Sequence, residues 1–212
     1  MIQSTLLNSL SIVHGYSERT ENRVDFLKKL NIFEFTQGRQ VHGVTIAKVT
    51  EKNKGKILPG IDGLVSHGLP LGVTFADCVP ILAIDPKAKI IGTAHAGWKG
   101  TLAGIAKELI RAMRNIGANS IYISIGPSIG SCCYSVPKKR ADKFSKQVVS
   151  EEHGIWYVDL QQANYEMFIN LSIPKDHIDV IHMCTSCNID KFNSYRKDPR
   201  KTFGVQLGVI AL

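Results

Sequence analysis

The middle of the chain holds three short apolar runs that follow one another with only brief polar interruptions. They span residues 69–75, 81–84 and 89–95, and each has the length of a strand and not of a helix. A helical pattern follows, with Thr101 as the expected N-cap and Gly117 as the expected end. Strands that alternate with helices in this way predict an α/β or α+β domain.

The remaining segments continue this alternation. We expect a helix at 22–30, with Val24, Phe26, Leu27 and Leu30 on one side. The other expected helices span 137–148 and 160–171, and the other expected strands span 1–14, 41–49, 120–125, 155–158, 177–183 and 203–211. No repeat, low-complexity tract or flexible linker divides the sequence, so residues 1–212 are expected to form one domain.

Charge and composition narrow the class of protein. Of the 212 residues, 44% are hydrophobic, and 26 Lys and Arg against 18 Asp and Glu give a net charge of +8. This balance excludes a mainly disordered chain and suits anionic partners such as phosphate or nucleotides. The basic residues are scattered, and the short bunches at 52–56 and 137–140 are typical of a solvated surface, so we expect no nucleic-acid partner.

The sequence shows neither a secretory signal nor an apolar run of about 18 residues, so we expect a cytoplasmic protein without a membrane partner. Its five cysteines are an odd number, which argues against a complete disulfide framework. The Cys184-x-x-Cys187 pair has no second such pair to complete a zinc site, and the adjacent Cys132 and Cys133 are interpreted as packing residues. The sequence therefore assigns no chemical role to these four cysteines.

Two histidines and one cysteine stand where side chains of different strands can meet. His42 lies in a Gln-Val-His-Gly stretch, and Cys78 and His95 follow successive apolar strands. Three such ligands leave a fourth tetrahedral position open, which is the pattern of catalytic zinc. Single His and Cys residues near strand ends are also common packing residues, so the spacing alone leaves both interpretations open.

Polar residues near this trio have more than one interpretation. Asp77 is a candidate general base or a residue that orients a ligand, but it is equally a candidate turn-capping residue before Pro80. Residues 97–101 are interpreted as a tight structural turn and only weakly as an anion site. Residues 194–200 form a basic segment that suits phosphate or a solvated loop.

Taken together, several segments resemble one family, the laccase-domain or multicopper polyphenol oxidase-like proteins, now regarded as purine nucleoside phosphorylases. The matching segments are QVHG (40–43), DGLV (62–65), LGVTFADCVPIL (71–82), GTAHAGWKGTLAGI (92–105), IGPSIGSCCYSV (125–136), CTSC (184–187) and FNSYRKDPRK (192–201). They stand in the family's order and cover the chain from about residue 20 to its C-terminus.

The resemblance implies a zinc site at His42, Cys78 and His95, with copper less favoured because seven scattered histidines supply no clusters for blue copper sites. It also implies an α+β fold of four layers, α/β/β/α, around a mixed β-sandwich. The implied activities are phosphorolysis of adenosine, inosine, guanosine and methylthioadenosine, and deamination of adenosine. Purine nucleosides and inorganic phosphate would be the partners of a monomer or homodimer. Asp77 is then a candidate proton carrier, and Arg23 and Arg196 are candidate phosphate or ribose contacts.

The sequence departs from the family pattern at two places. The usual R-x-G-G-x-S segment and Ser-Leu-Asn motif are missing, since His14-Gly15-Tyr16-Ser17 runs almost directly into Asn22-Arg23. The usual FFSYRRD reads FNSYRKD, so Asn193 and Lys197 differ. If the missing segment lines the substrate pocket in relatives, its loss leaves the substrate range of this chain open.

Two alternatives to the phosphorylase remain open at this point. Cys78 with His95 or His42 could form a nucleophile–base pair of a thiol hydrolase or amidase, which needs no metal. Some relatives are implicated in editing peptidoglycan precursors, and the sequence does not separate that role from nucleoside chemistry.

Overall fold

A computed structural model describes residues 1–199 and 204–212 of the chain. The six helices within these residues are α1 (Thr5–Ser9), α2 (Arg23–Lys29), α3 (Trp98–Ala103), α4 (Ile105–Asn115), α5 (Lys138–Ala141) and α6 (Leu160–Asn170). The first seven strands are β1 (Val13–Tyr16), β2 (Thr36–Arg39), β3 (Ile46–Val49), β4 (Ile57–Pro59), β5 (Gly63–Ser66), β6 (Leu71–Phe75) and β7 (Val79–Asp85). The others are β8 (Ile90–Ala96), β9 (Tyr122–Ile125), β10 (Ser135–Val136), β11 (Val149–Glu152), β12 (Ile155–Val158), β13 (Ile178–Val180) and β14 (Gln206–Ala211).

The described strands form two large sheets and one small one. The five-stranded sheet has the order β1-β14-β6-β2-β4, and the six-stranded sheet has the order β13-β9-β7-β8-β5-β3. Each of the two contains parallel and antiparallel neighbours, for example β2 parallel to β6 and β14 antiparallel to β6. The small sheet, β10-β12-β11, is antiparallel. The large sheets are therefore mixed, as expected.

The two large sheets pack face to face because their strands alternate in apolar side chains. Leu82 and Ile84 of β7 belong to the buried cluster that also contains Val73 and Phe75 of β6. Ala83, which lies between them, and Ile81, which precedes them, belong to the cluster on the opposite face of the six-stranded sheet. Since successive side chains on a strand point to opposite faces, one strand serves two layers of core.

Helices cover the outer face of each large sheet. Leu109 of α4 and Phe168 of α6 pack in the same buried cluster as Ile81 of the six-stranded sheet. On the other side, Phe26 of α2 packs with Val209 of the five-stranded sheet. The order of layers is thus helix, sheet, sheet, helix, and the expected four-layer α+β fold is confirmed.

Several boundaries differ from the sequence-based expectation near the N-terminus. The expected strand at 1–14 contains the short helix α1, because the side chain of Ser4 accepts a hydrogen bond from the Leu7 N–H and caps it. The helix at 22–30 is confirmed, with Asn22 as its N-cap. Val24, however, is 56% exposed and does not join the core face.

The helix expected to start at Thr101 starts earlier and is divided. Helix α3 begins after the N-cap Gly97, and Thr101 lies buried inside it. Gly104 then adopts a φ of 87°, which ends α3 and leads into α4. A left-handed residue cannot continue a right-handed helix, and glycine adopts this conformation without steric cost.

The C-terminal expectations were met in part. The helix at 160–171 and the strand at 155–158 are present, whereas 137–148 contains only α5 and a 3₁₀ turn at Lys146–Val148. The expected strand at 203–211 is observed from Gln206, and residues 200–203, including Arg200, lie outside the described residues. Among residues 1–199 and 204–212, no helix combines the length and apolar character needed to cross a membrane.

Candidate metal centre and its pocket

Strand pairing brings the three candidate ligands together. Val79 of β7 pairs with Ala96 of β8, so Cys78, one residue before β7, lies beside the end of β8 that carries His95. His42 reaches the same place from the loop that follows β2. The ligand atoms of His42, Cys78 and His95 all lie within 4.8 Å of one another. The geometry therefore suits the predicted metal site, whose role stays a prediction.

A buried carboxylate fixes the conformation of the loop that carries His42. His42 has a φ of 62°, and the expected strand at 41–49 is consequently wrong over its first half. The carboxylate of Asp62 accepts hydrogen bonds from the N–H groups of Val41 (3.1 Å), His42 (2.9 Å) and Gly43 (2.8 Å). These N–H groups are thus satisfied by a side chain and not by a neighbouring strand.

Asp62 also orients His95. Its Oδ1 lies 3.0 Å from Nδ1 of the His95 ring, and the two residues are only 3% and 4% exposed. With Nδ1 engaged in this way, Nε2 is the nitrogen left to bind a metal, as in metal sites in which a carboxylate holds the ligating histidine. Asp62 was missed as a site residue. The signal was its position in the Asp-Gly-Leu-Val segment, directly before β5.

The trio also has unusual protonation in the metal-free protein. Burial by itself raises the pKa of the Cys78 thiol, but contacts with His42 and His95 lower that pKa to about 7. Burial by itself lowers the pKa of His95, but Asp62 and Cys78 raise that pKa to about 9. Between these values Cys78 is a thiolate beside a protonated His95, and a thiolate is the form of cysteine that binds metal.

Gly97 leaves room for the trio. A Cβ at this position would lie 2.8 Å from Cδ2 of His42 and 2.9 Å from Sγ of Cys78. A side chain of any size would therefore displace two of the three candidate ligands. Two histidines and one cysteine fit a zinc ion that keeps one open position, and one of the histidines, His95, is already held by the Asp62 carboxylate.

Asp77 lies beside this group and holds two loops. It has a φ of 79° and is only 8% exposed. Its carboxylate accepts hydrogen bonds from the Thr185 hydroxyl (2.6 Å), the Ser194 hydroxyl (3.1 Å) and the Arg196 backbone N–H (2.7 Å). Asp77 thus fastens the segments around 185 and 194–196 beside the three candidate ligands, and its expected catalytic role stays a prediction.

A cavity of about 840 Å³ opens onto the trio. Its wall contains the three candidate ligands and Asp77. Arginines and aromatic side chains surround them: Arg23, Arg39, Arg140, Arg196, Trp98, Tyr134 and Tyr195. A concave site with apolar surface and several convergent cations suits a small anionic or partly anionic ligand.

Both predicted substrate-binding arginines line this cavity. The guanidinium of Arg23 donates to Gln37 Oε1 at 2.6 Å and lies over the Phe35 ring. The guanidinium of Arg196 donates to the Cys133 carbonyl and to Ser135, each at 3.1 Å. These contacts fix where the two positive charges lie, whereas their contact with substrate stays a prediction.

Arg140 was missed because it belongs to a basic bunch interpreted as solvated surface. Its neighbours Lys138 and Lys139 are exposed as expected. Arg140 itself is half-buried, lines the cavity and lies 4.3 Å from the ring centroid of Trp98. Sequence pattern alone does not separate these neighbours, because only the short helix α5 decides which of them turns inward.

Among the described residues, His42 and His95 are the only histidines in a group able to hold a metal. The other five histidines of the chain join no such group there. Blue copper centres need additional histidine ligands close by, so the arrangement at His42 and His95 favours a zinc-type site over a set of copper sites.

Comparisons with known proteins agree with this fold. The family model described as multi-copper polyphenol oxidoreductase laccase matches residues 14–212. The crystal structure of the Bacillus licheniformis hypothetical protein YfiH superposes with a TM-score of 0.86 at 28% identity, covering 96% of this chain and 93% of that one.

Two curated relatives carry enzyme names. Purine nucleoside phosphorylase YlmD of Geobacillus stearothermophilus is 38% identical, covering 81% of this chain and 69% of that protein. Adenosine deaminase RL5 of an unknown prokaryotic organism is 30% identical, covering 79% of this chain and 71% of that protein. The curated relatives are longer than the matched stretch, which spans only 38% of a mouse purine nucleoside phosphorylase.

Proposed function

The chain belongs to the multi-copper polyphenol oxidoreductase laccase family, and from this membership we propose that it is a zinc-dependent purine nucleoside phosphorylase that also deaminates adenosine. One observation carries the proposal: His42, Cys78 and His95 converge at a cavity whose wall also holds several arginines. The names of the phosphorylase and deaminase relatives support the same chemistry. The proposed substrates are adenosine, inosine, guanosine and methylthioadenosine.

The proposed metal ligands are His42 through an imidazole nitrogen, Cys78 through its thiolate and His95 through Nε2. When bound there, zinc would supply a Lewis acid and a water of lowered pKa, which deamination of adenine requires. Asp62 holds Nδ1 of His95, so Nε2 is the nitrogen that would lose its proton and bind the metal, and the same carboxylate keeps His42 in place through the backbone. Loss of this carboxylate would therefore affect two ligands at once.

In phosphorolysis, an oxygen of inorganic phosphate forms a bond to C1′ of the ribose. The bond between C1′ and N9 breaks, and the purine leaves with the bonding electron pair and takes up a proton. We propose that Arg23 and Arg196 bind the phosphate, because they line the cavity and carry fixed positive charges. The stacked side chains of Trp98 and Arg140 offer a flat surface to the purine.

Asp77 is proposed as a positioning residue in preference to a proton carrier. Its carboxylate already accepts three hydrogen bonds from Thr185, Ser194 and Arg196. This arrangement holds the backbone of Arg196 and so helps to place its guanidinium in the wall of the cavity. An Asp77→Asn variant is expected to change the KM for phosphate as well as kcat.

Product analysis tests the function. Inosine incubated with the zinc-containing protein should yield hypoxanthine and ribose 1-phosphate only when inorganic phosphate is present. When phosphate is present, adenosine should yield adenine and ribose 1-phosphate. When phosphate is absent, adenosine should be deaminated to inosine and ammonia. Release of free ribose at the same rate with and without phosphate would show a hydrolase and would contradict the proposal.

A second candidate is a thiol hydrolase or amidase, favoured by the pKa of Cys78 near 7 beside the buried His95. In that case the protein would work without metal through a covalent intermediate at Cys78. Chelator-treated protein that keeps full activity and loses it on alkylation of Cys78 would support this candidate. Chelator-treated protein that regains activity only with zinc supports the phosphorylase.

A further inference from the structure

Four cysteines to which the sequence assigned no chemistry meet outside the cavity. Cys132 and Cys133 belong to the segment between β9 and β10, and Cys184 and Cys187 follow β13. Their four sulfur atoms lie within 4.8 Å of one another. The interpretation of Cys132 and Cys133 as packing residues is therefore wrong for Cys132, which is exposed and faces the other three sulfurs.

The spacing of these sulfurs fits one four-coordinate ion. Sγ of Cys133 lies 3.3 Å from Sγ of Cys187, and Sγ of Cys132 lies 3.5 Å from Cys187 and 3.8 Å from Cys133. A tetrahedral zinc ion with bonds of about 2.3 Å to sulfur holds its four ligands about 3.8 Å apart. All three separations exceed the roughly 2.05 Å of a disulfide bond.

An iron–sulfur cluster fits this spacing less well. In such a cluster each cysteine binds a different iron, or pairs of cysteines bind irons bridged by sulfide, so the cysteine sulfurs surround several atoms and not one. Sulfurs that all lie within 4.8 Å of one another leave room for a single ion. Four thiolates in a tetrahedron are the ligand set of structural zinc, with no position left for substrate or water.

The backbone around the cluster supports a charged sulfur site. The Gly130 N–H donates to Sγ of Cys184 at 3.2 Å, the kind of hydrogen bond that stabilises a metal-bound thiolate. Cys133 N–H closes a turn onto the Gly130 carbonyl, and Asn188 closes another onto the Cys184 carbonyl. Each pair of cysteines thus sits on a tight turn, as ligand pairs of structural zinc sites do.

We propose that Cys132, Cys133, Cys184 and Cys187 form a second, structural zinc site, separate from the His42, Cys78 and His95 centre. The proposal does not depend on the reaction that the protein catalyses. It assigns the cluster a mechanical role, because the two joined segments carry groups of the cavity wall. The Cys133 carbonyl accepts a hydrogen bond from Arg196, and Thr185 donates one to Asp77.

The test is the zinc content of the full chain, measured by plasma mass spectrometry after purification without chelator. We expect two zinc ions per wild-type chain and one in His42→Ala. The Cys132→Ser/Cys187→Ser variant should also hold one, and the two changes combined should leave none. Ser131→Ala, next to the cluster but without a sulfur ligand, is the matched control and should keep two.

A His42→Ala protein that holds no zinc would overturn the proposal, as would a cysteine variant that keeps two ions. Iron in the purified protein, with or without acid-labile sulfide, would overturn the assignment to zinc. An intact, unreduced protein whose mass is lower than that of the reduced chain by the hydrogens lost in disulfide bonds would overturn the proposed metal site.

A second measurement does not require the cysteine variants to fold. X-ray absorption at the zinc edge of the His42→Ala protein should show sulfur neighbours alone, at about 2.3 Å. A shell that contains nitrogen would place the remaining zinc elsewhere and would contradict the proposal. In the wild type, the same spectrum should show sulfur mixed with nitrogen, because both sites contribute.

Discussion

Nδ1 of His95 lies 3.0 Å from Oδ1 of Asp62, and this carboxylate also accepts the backbone N–H groups at the His42 loop. One buried side chain therefore orients one candidate ligand and fixes the position of a second. The coupling explains how residues 53 positions apart in sequence reach one point without a local motif. It also makes Asp62 the most informative residue to change outside the ligands themselves.

Asp62→Asn is expected to weaken zinc binding at the trio by about 10- to 100-fold, the usual effect of losing the group that orients a ligating histidine. Competition with a chromophoric chelator measures the affinity. Asp85→Asn is the matched control, since Asp85 is also buried and accepts the N–H groups of Ala88, Asn119 and Ser120 far from the cavity. Equal loss of affinity in both variants would show a general structural effect.

Gly97→Ala is expected to empty the trio site while the fold persists. The backbone of Gly97 has a φ of −70°, which alanine adopts readily, so the only conflict is between the new Cβ and the side chains of His42 and Cys78. Zinc content and the circular dichroism melt measure the two effects. In the control Gly15→Ala, the new Cβ meets the flexible Met1 side chain far from the cavity, so zinc should remain. Full zinc content in Gly97→Ala would contradict the placement of the ligands.

Zinc binding at the trio should release more protons as the pH falls. In the metal-free protein the pKa is about 7 for Cys78 and about 9 for His95, and each must lose its proton before it binds metal. At pH 8 binding should release about one proton from this pair, and at pH 6 about two. Affinity should therefore rise with pH until it levels off above the pKa of His95. Calorimetry in buffers of different ionisation enthalpy counts the protons, and a constant count from pH 6 to 10 would contradict this account.

Arg196→Ala is expected to raise the KM for inorganic phosphate by about 10- to 100-fold, since a hydrogen bond to a charged group contributes roughly 1.5–3 kcal/mol. The KM for the nucleoside should change less. Steady-state kinetics with each substrate varied in turn separate the two effects. Arg111→Ala, which removes an exposed arginine paired with Glu108 on α4, is the control and should leave both constants unchanged. A rise confined to the nucleoside KM would place Arg196 at a different part of the substrate.

Much of the fold can be predicted from local sequence pattern, because buried strands such as β7 and β8 appear in the sequence as apolar runs of strand length. The positions of Cys78 and His95 beside those strands left a metal site and simple packing both open, and the resemblance to the family was what favoured a meeting with His42. The loop at His42 was not predictable in this way. It is held by Asp62, a residue 20 positions away whose role depends on the folded chain.

The cysteine cluster was likewise not predictable from local sequence. The pairs Cys132–Cys133 and Cys184–Cys187 each look incomplete as a metal motif. They become one set only when the isolated bridge between Ser128 and Cys184 places the two segments side by side. Similarly, nothing local distinguishes Arg140 from its lysine neighbours, and only the folded chain shows that it lies over the Trp98 ring and lines the cavity.

The measurement that tests the central claim most directly is phosphorolysis of inosine by His42→Ala together with its zinc content, compared with His67→Ala. His67 is exposed and does not line the cavity, so its variant should keep wild-type zinc and wild-type activity. His42→Ala should lose one zinc per chain and at least 100-fold in activity. Full phosphorolysis by a His42→Ala protein with no zinc at the trio would contradict the account.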